Sequence, residues 1–252
     1  VVQTLRKPEI INIARRERLV TVDHLVEHFG VTPQTIRRDL TELSDSGQLE
    51  RVHGGAILPS TTVNIDYNER RKFNQARKVD IARLCAMQIP NDCSVFLNIG
   101  TTTEAVAVEL LQHQGLLVVT NNMNIANILS TSTEVKVIVT GGNLRQSDGG
   151  LVGDFAKATI QQLRFDFAVI GCSALREDGD ILDFDVQEVG VSKTIIRQSD
   201  TVLLASDSSK FERKAPARIA SISDVDIFVT DKGLPDACAD FCRESNTKVL
   251  FA

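Results

Sequence analysis

The chain has 252 residues, 42% of them apolar and 24% charged, and a net charge of −5. At about 100 to 200 residues per domain this allows one large domain or two unequal ones and excludes a lone mini-domain. The balanced composition excludes a disordered or collagen-like chain. The longest uninterrupted apolar runs, such as Leu116 to Val119, fall far below the roughly 18 residues of a membrane-spanning helix. Five cysteines at irregular spacing fit reduced thiols better than a disulfide framework, and nothing at the start signals export, so a cytoplasmic location is expected.

The charge is unevenly spread. Residues 1–78 carry 13 Lys and Arg against 10 Asp and Glu, whereas residues 79–252 carry 15 against 23. A mildly basic front end joined to an acidic body points to an anionic partner for the front end alone.

In residues 8–18, Ile10, Ile13 and Ala14 recur at helical spacing, with Arg15, Arg16 and Arg18 gathered where positive charge suits the helix dipole. Thr21 is placed to cap a second helix with the apolar stripe Val22, Leu25 and Phe29, and Gly30 to stop it. Only Val31 then precedes Thr32-Pro33, a capping residue followed by the proline favoured at a first helical position. Two short helices so tightly joined read as helix-turn-helix.

A third helix is expected from Pro33 to about Ser46, ended by Gly47. At about 100° per residue, Ile36, Leu40 and Leu43 share one face, while Gln34, Arg38 and Thr41 project from the opposite one, flanked by Thr35 and Arg37. Gln can bond adenine and Arg guanine through two hydrogen bonds each, and the flanking residues suit phosphates. Gln34, Thr35, Arg37, Arg38 and Thr41 are therefore the candidate DNA contacts. Leu49 to Ala56, containing His53-Gly54-Gly55, is expected to form the strand and turn of a wing.

The strings TPQTIRRDL (32–40) and GQLERVHGGAILPS (47–60) resemble the amino-terminal domain of the DeoR family of bacterial repressors. The resemblance implies that the helix carrying Thr35, Ile36, Arg37, Arg38 and Asp39 is the recognition helix and that operator DNA is a partner.

Pro59-Ser60-Thr61-Thr62, Asn64, Asp66, Asn68 and the charged run Glu69, Arg70, Arg71 and Lys72 read as a polar connector with a solvated face, entering a new helix near Gln75. The expected division is a winged helix-turn-helix domain at 1–57, a linker at 58–78 and an effector domain at 79–252.

In that last part, seven apolar strand candidates alternate with helical patterns: Val95–Ile99, Leu116–Val119, Val135–Val139, Phe167–Ile170, Val202–Ala205, Ile227–Val229 and Val249–Phe251. The helices fall near 104–112, 123–130, 154–163, 186–198 and 235–244. This alternation predicts an α/β domain with a mostly parallel sheet covered on both sides. Ligands of such sheets bind beyond the carboxyl ends of the strands. The residues there are Gly100-Thr101-Thr102-Thr103, Thr120-Asn121-Asn122, Gly141-Gly142, Gly171-Cys172-Ser173 and Asp207-Ser208-Ser209-Lys210. Gly100, Thr101 and Thr102 open a helix and can hold a phosphate, Lys210 or Arg145 can add positive charge, and Asn121, Asn122 and Asp207 can bond hydroxyl groups. The absence of a P-loop lysine and of G-x-G-x-x-G disfavours a nucleotide.

The strings NIGTTTEAVA, TNNMNIAN, TGGNLR, GGLVG, FDFAVIG and DSSKF resemble the effector domain of the same family. The resemblance implies a fold like ribose-5-phosphate isomerase and recognition of a phosphorylated sugar or polyol. TPQTIRRDL, TNNMNIAN and DFDVQEV are most similar to the branch whose effector is glycerol 3-phosphate. The family usually carries Asp where Asn98 stands, and Lys four residues after Glu188, where this chain has Ser192 beside Lys193.

His24 with His28, and Cys238 with Cys242, lie one helical turn apart but bring no complete ligand set, so no metal and no cofactor are expected. Asp166, Glu188 and Asp207 are the candidates for a general base in the alternative, an isomerase-like enzyme. The joined DNA-reading domain favours a sensor without turnover. The expected protein is a repressor acting as a homo-oligomer, dimer or tetramer, whose effector site includes Gly100, Thr101, Thr102, Asn121, Asn122, Gly141, Gly142, Arg145, Glu188, Asp207 and Lys210.

Overall fold

The computed structural model describes residues 3–17, 19–46, 48–52, 54–58, 64 and 66–252, and of residues 3–5 only the backbone. The expected roles of Arg18, Gly47, His53 and Pro59 to Thr62 lie outside the described residues. Two compact units form, Val1–Ser60 with Asn68–Phe73, and Thr61–Tyr67 with Asn74–Ala252.

The smaller unit contains α1 (Gln3–Glu17), β1 (Leu19–Thr21), α2 (Val22–Phe29), α3 (Pro33–Asp45), β2 (Glu50–Val52) and β3 (Gly55–Ile57), and is followed by α4 (Tyr67–Lys72). Helix α1 begins earlier than the apolar spacing indicates and runs through Pro8, which lacks one helix-forming N–H close to the first turn. Thr21 caps α2 by accepting the His24 N–H at 3.1 Å, and Gly30 closes it at φ 64°. Thr32 caps α3 by accepting the Thr35 N–H at 3.3 Å. Ile10, Ile13, Leu25, Ile36, Leu40 and Leu43 form one apolar core.

Strands β1, β3 and β2 pair in that order, antiparallel. The close crossing explains Gly55, where a Cβ would lie 2.0 Å from the Val20 carbonyl oxygen. The wing thus pairs with β1, a three-residue strand too short to leave a periodic signal between two helices.

The larger unit continues with α5 (Gln75–Ala86), β4 (Ser94–Leu97), α6 (Thr101–Glu109), β5 (Leu116–Thr120), α7 (Met123–Leu129), β6 (Val135–Val139), β7 (Asn143–Arg145), β8 (Gly150–Val152), α8 (Asp154–Gln161) and β9 (Phe165–Ile170). Then come β10 (Ala174–Leu175), β11 (Asp180–Asp183), α9 (Val186–Arg197), β12 (Ser199–Ala205), β13 (Ala217–Ser221), β14 (Ile227–Thr230), α10 (Asp236–Glu244) and β15 (Lys248–Phe251).

The main sheet has the order β15-β14-β12-β9-β4-β5-β6, and every pair in it is parallel. Alternate residues of its strands serve opposite layers. Val95, Leu97, Val118, Val169, Leu203 and Val229 pack with α5, α6 and α7, while Phe96, Val119, Ala168, Leu204 and Phe228 pack with α8, α9 and α10. Burial on both faces is why these strands read as continuous apolar runs. The antiparallel additions, the β7–β8 hairpin and the sheet β10-β11-β13, were not legible from periodicity because each strand spans only two to five residues. Cys238 and Cys242 belong to the core.

Candidate DNA-reading face and effector crevice

Helix α3 presents Gln34, Arg37, Arg38 and Thr41 to solvent, with Thr35 half-buried beside its cap. Two hydroxyls are engaged within the helix: Thr35 meets Thr32 at 2.9 Å, and Thr41 donates to the Arg37 carbonyl at 2.8 Å. The Arg38 side chain is 60% exposed, 3.8 Å from Glu42. Arg51 on β2 lies close to Arg37: burial lowers its pKa, and repulsion from Arg37 adds to the effect. A cationic surface therefore joins the third helix to the wing. Asp39 points the other way, fully buried, and takes a hydrogen bond from the Arg6 guanidinium.

In the larger unit the chain runs outward from β4 to β5 and β6, then returns to β9 on the other flank of β4. The gap between β4 and β9 is a topological switch point, where open parallel sheets place their ligands. Gly100 to Thr102 follow β4 and open α6, and Gly171 to Ser173 follow β9. Thr103 fixes the first turn by donating to the carbonyls of Asn98 at 2.6 Å and Gly100 at 2.8 Å. The first-turn N–H groups of such a helix, together with its dipole, form an anion seat.

Around this seat the expected residues fall into three groups. The buried Asn121 and Asn122 follow β5, and Asn122 donates to Glu104 of α6 at 3.2 Å. Gly141 and Gly142 follow β6. Gly142 has φ 134°, and a Cβ there would lie 2.8 Å from the Val152 carbonyl oxygen, so the hairpin can turn back only with glycine at this point. The fully buried Asp207 follows β12. Burial opposes its charge, yet the Lys210 ammonium and hydrogen bonds from Ser209 and Asn74 outweigh this and hold its carboxyl below the ordinary range.

Arg145 and Glu188 behave differently from the simple expectation of a cation and a ligand-facing acid. Arg145 donates to Asp148 twice at 2.8 Å, to Asp185 at 2.6 Å and to Glu188 at 2.6 Å. Burial works against its charge, but the hydrogen bonds to Asp148 and Glu188 and their charge raise its pKa. An arginine so enclosed is a neutraliser of acids before it is a receptor for phosphate. Glu188 is pushed up to about 8 by burial and by repulsion from Asp183, with Arg145 pulling the other way. One cation faces an excess of carboxylates, and Glu188 keeps a proton near neutrality.

The sign of the resulting pH dependence is fixed. Between the ordinary value of 4.5 and about 8, the folded chain holds a proton on Glu188 that the unfolded chain has released. Stability contributed by this group therefore falls as pH rises through that window, by at most about 1.4 kcal/mol per pH unit. Glu188→Gln is expected to flatten this part of a melting temperature against pH curve from pH 5 to 8. An unchanged slope would contradict the assignment.

The two departures from the family pattern meet each other: Asn98 Nδ2 donates to Ser192 Oγ at 2.8 Å, with both residues buried. A neutral pair thus occupies the two positions. Asp166 lies elsewhere, at the amino end of β9, exposed and bonded by the Ser94 N–H at 2.7 Å and its hydroxyl at 2.6 Å. It is remote from the crevice edge and has no place in an acid–base site there.

Sequence reasoning missed Asn64, Tyr67, Asn74 and Arg213. Asn64 donates to Ser173 at 3.1 Å and accepts from the buried Arg213 at 2.8 Å, and Ser173 donates to Asp183 at 2.8 Å. The Arg213 guanidinium sits 5.9 Å from the Phe184 ring centre. No motif marks these residues, because their partners are up to 149 positions away. Among the described residues, no group of three or more His, Cys, Asp or Glu could hold a metal ion, and no helix is long and apolar enough to cross a membrane.

A winged helix-turn-helix unit followed by a parallel α/β unit, with the amino terminus of α6 opening at its switch point, is the architecture of a ligand-sensing DNA-binding regulator. The DeoR-like helix-turn-helix domain model matches residues 6–62 and the DeoR C terminal sensor domain model residues 73–232. The chain belongs to the DeoR family and is a transcriptional repressor. It is 45% identical to the glycerol-3-phosphate regulon repressor of Escherichia coli (strain K12), over 92% of each chain. It is 41% identical to the protein of the same name from Haemophilus influenzae, over 99% of this chain and 97% of that one. Ribose 5-phosphate isomerase A from Neisseria gonorrhoeae aligns with TM-score 0.40 at 11% identity, over 57% of this chain and 54% of that one, too remote to bear on function.

Proposed function

We propose that the outer face of α3 reads operator DNA and that the crevice at the β4–β9 switch point binds a small phosphorylated polyol or sugar, foremost glycerol 3-phosphate. In this reading the phosphate sits on the α6 amino terminus, formed by Gly100, Thr101 and Thr102, with Lys210 supplying charge. The observation that carries it is a set of buried polar atoms at the carboxyl ends of β5, β6 and β12. Asn121 Oδ1, Thr140 Oγ1 and Asp207 Oδ2 have no hydrogen-bond partner among the described residues. Buried polar groups are nearly always paired, and a polyol offers the hydroxyl donors these acceptors lack. The names of the Escherichia coli and Haemophilus influenzae relatives support glycerol 3-phosphate.

The working division remains a reader at 1–57, a linker at 58–78 and a sensor at 79–252, acting in the cytoplasm. One reader covers one half-site, so at least a dimer on repeated half-sites is required for tight operator binding. A thermal-shift series of sugar and polyol phosphates tests the ligand: glycerol 3-phosphate raises the melting temperature by mass action, and a panel without any shift refutes the crevice.

Arg38→Ala is expected to weaken operator binding by about 1 to 3 kcal/mol while leaving the fold and ligand binding intact. Arg37→Ala acts on affinity at any sequence and lowers the salt dependence. Gel-shift titrations on specific and scrambled DNA separate the two, and operator affinity unchanged in Arg38→Ala would refute base reading by that side chain.

A further inference from the structure

Asn64, Tyr67, Asn74 and Arg77, all in the larger unit, make hydrogen bonds and an ion pair along the carboxyl edge of the sheet, to residues following five adjacent strands. Arg77 pairs with Asp231 after β14 at 3.2 Å, Asn74 donates to Asp207 after β12 at 3.0 Å, and Asn64 donates to Ser173 after β9 at 3.1 Å. Tyr67 donates to the Glu104 carboxylate, after β4, at 2.9 and 3.1 Å, and accepts from Asn124, after β5, at 2.9 Å. Between the anchors Tyr67 and Asn74, Asn68–Phe73 belongs to the smaller unit.

We propose that Asn64, Tyr67, Asn74 and Arg77 tie the chain to the edge of the effector crevice as a strap, that Tyr67 on Glu104 is its latch, and that effector binding releases it. The inference rests on the reading of the α6 amino terminus as the phosphate seat. Glu104 is buried, and its side-chain donors among the described residues, Tyr67, Asn122 and Asn124, are all neutral. It stands one turn from the seat, its N–H bonded to the Gly100 carbonyl at 2.9 Å. A phosphate arriving there brings a second anion beside this carboxylate. Repulsion turns the Glu104 carboxylate away from Tyr67, and the charge-assisted bond between them is lost. The other anchors share the same edge, and Asn74 holds the same Asp207 carboxylate whose free oxygen faces the polyol in the proposed function. Because the strap is continuous with Asn68–Phe73, its release frees both ends of a segment that belongs to the DNA-reading unit.

Hydrogen exchange on the full chain, with and without glycerol 3-phosphate, tests this in wild type and in Tyr67→Phe, which keeps the ring and deletes only the hydroxyl. In wild type, ligand should slow exchange at residues 100–104 and speed it at 64–77. Tyr67→Phe should exchange faster at 64–77 without ligand and bind glycerol 3-phosphate several-fold more tightly by calorimetry. Protection of 100–104 with no change at 64–77, or an unaltered affinity in Tyr67→Phe, overturns the strap. Ligand that protects no segment refutes the phosphate seat instead, and with it the release step, whatever Tyr67→Phe does to the linker.

Discussion

Asp39→Ala is expected to destabilise the DNA-reading unit by about 3 to 5 kcal/mol, the cost of leaving a buried partner charge alone. Asp39 is fully buried and Arg6 nearly so, and the Arg6 pKa is raised chiefly by its hydrogen bond to Asp39. The residue stands in the middle of the recognition-helix motif, next to Arg38, but touches no solvent. Its effect on operator binding should therefore arrive through folding. Calorimetry of the full chain should show the transition of the smaller unit moved down while that of the sensor stays. A joint Arg6→Met and Asp39→Leu change should recover most of the loss, because an apolar pair leaves no unpaired charge. A loss below about 1 kcal/mol in Asp39→Ala, the scale of an exposed pair, would contradict the buried ion pair.

Thr101→Val and Lys210→Ala are each expected to weaken glycerol 3-phosphate binding roughly ten-fold or more, since a hydrogen bond to a charged group contributes about 1.5 to 3 kcal/mol. Both side chains belong to the larger unit, so operator affinity without ligand should be retained. The variants should be repressors that no longer respond. Isothermal titration with the ligand, beside DNA anisotropy without it, reads both quantities. Wild-type ligand affinity in the two variants would move the phosphate away from the α6 amino terminus.

The parts of the fold that were legible are those where one local rule acts over many residues. Val95 to Leu97 and Val202 to Ala205 are apolar throughout because both faces of their strands are buried. The caps at Thr21, Gly30 and Thr32 stand where the turn chemistry requires them. Parallel strands put the loops after them at one edge, so Gly100, Asn121, Gly141 and Asp207 could be grouped without coordinates.

What stayed hidden depends on distant partners. Arg145 reads as a free cation in TGGNLR, and only the fold brings it Asp185 and Glu188, 40 and 43 residues on. Asp166 has the chemistry of a base but lies before its strand's apolar run, at the edge opposite the crevice. Tyr67 and Asn74 sit in a segment whose polar composition reads as a solvated linker, and their partners are 37 and 133 residues away. Composition reports that such residues can bond to something; it carries no information about what.

In the proposed mechanism one small phosphorylated ligand and operator DNA oppose each other through this chain. Fluorescence anisotropy of labelled operator, titrated with protein at fixed salt and increasing glycerol 3-phosphate, measures that coupling directly. Ligand should weaken operator binding by a saturable factor, and operator should weaken ligand binding by the same factor, as linkage requires. Ligand that binds the protein while operator affinity stays constant would contradict it.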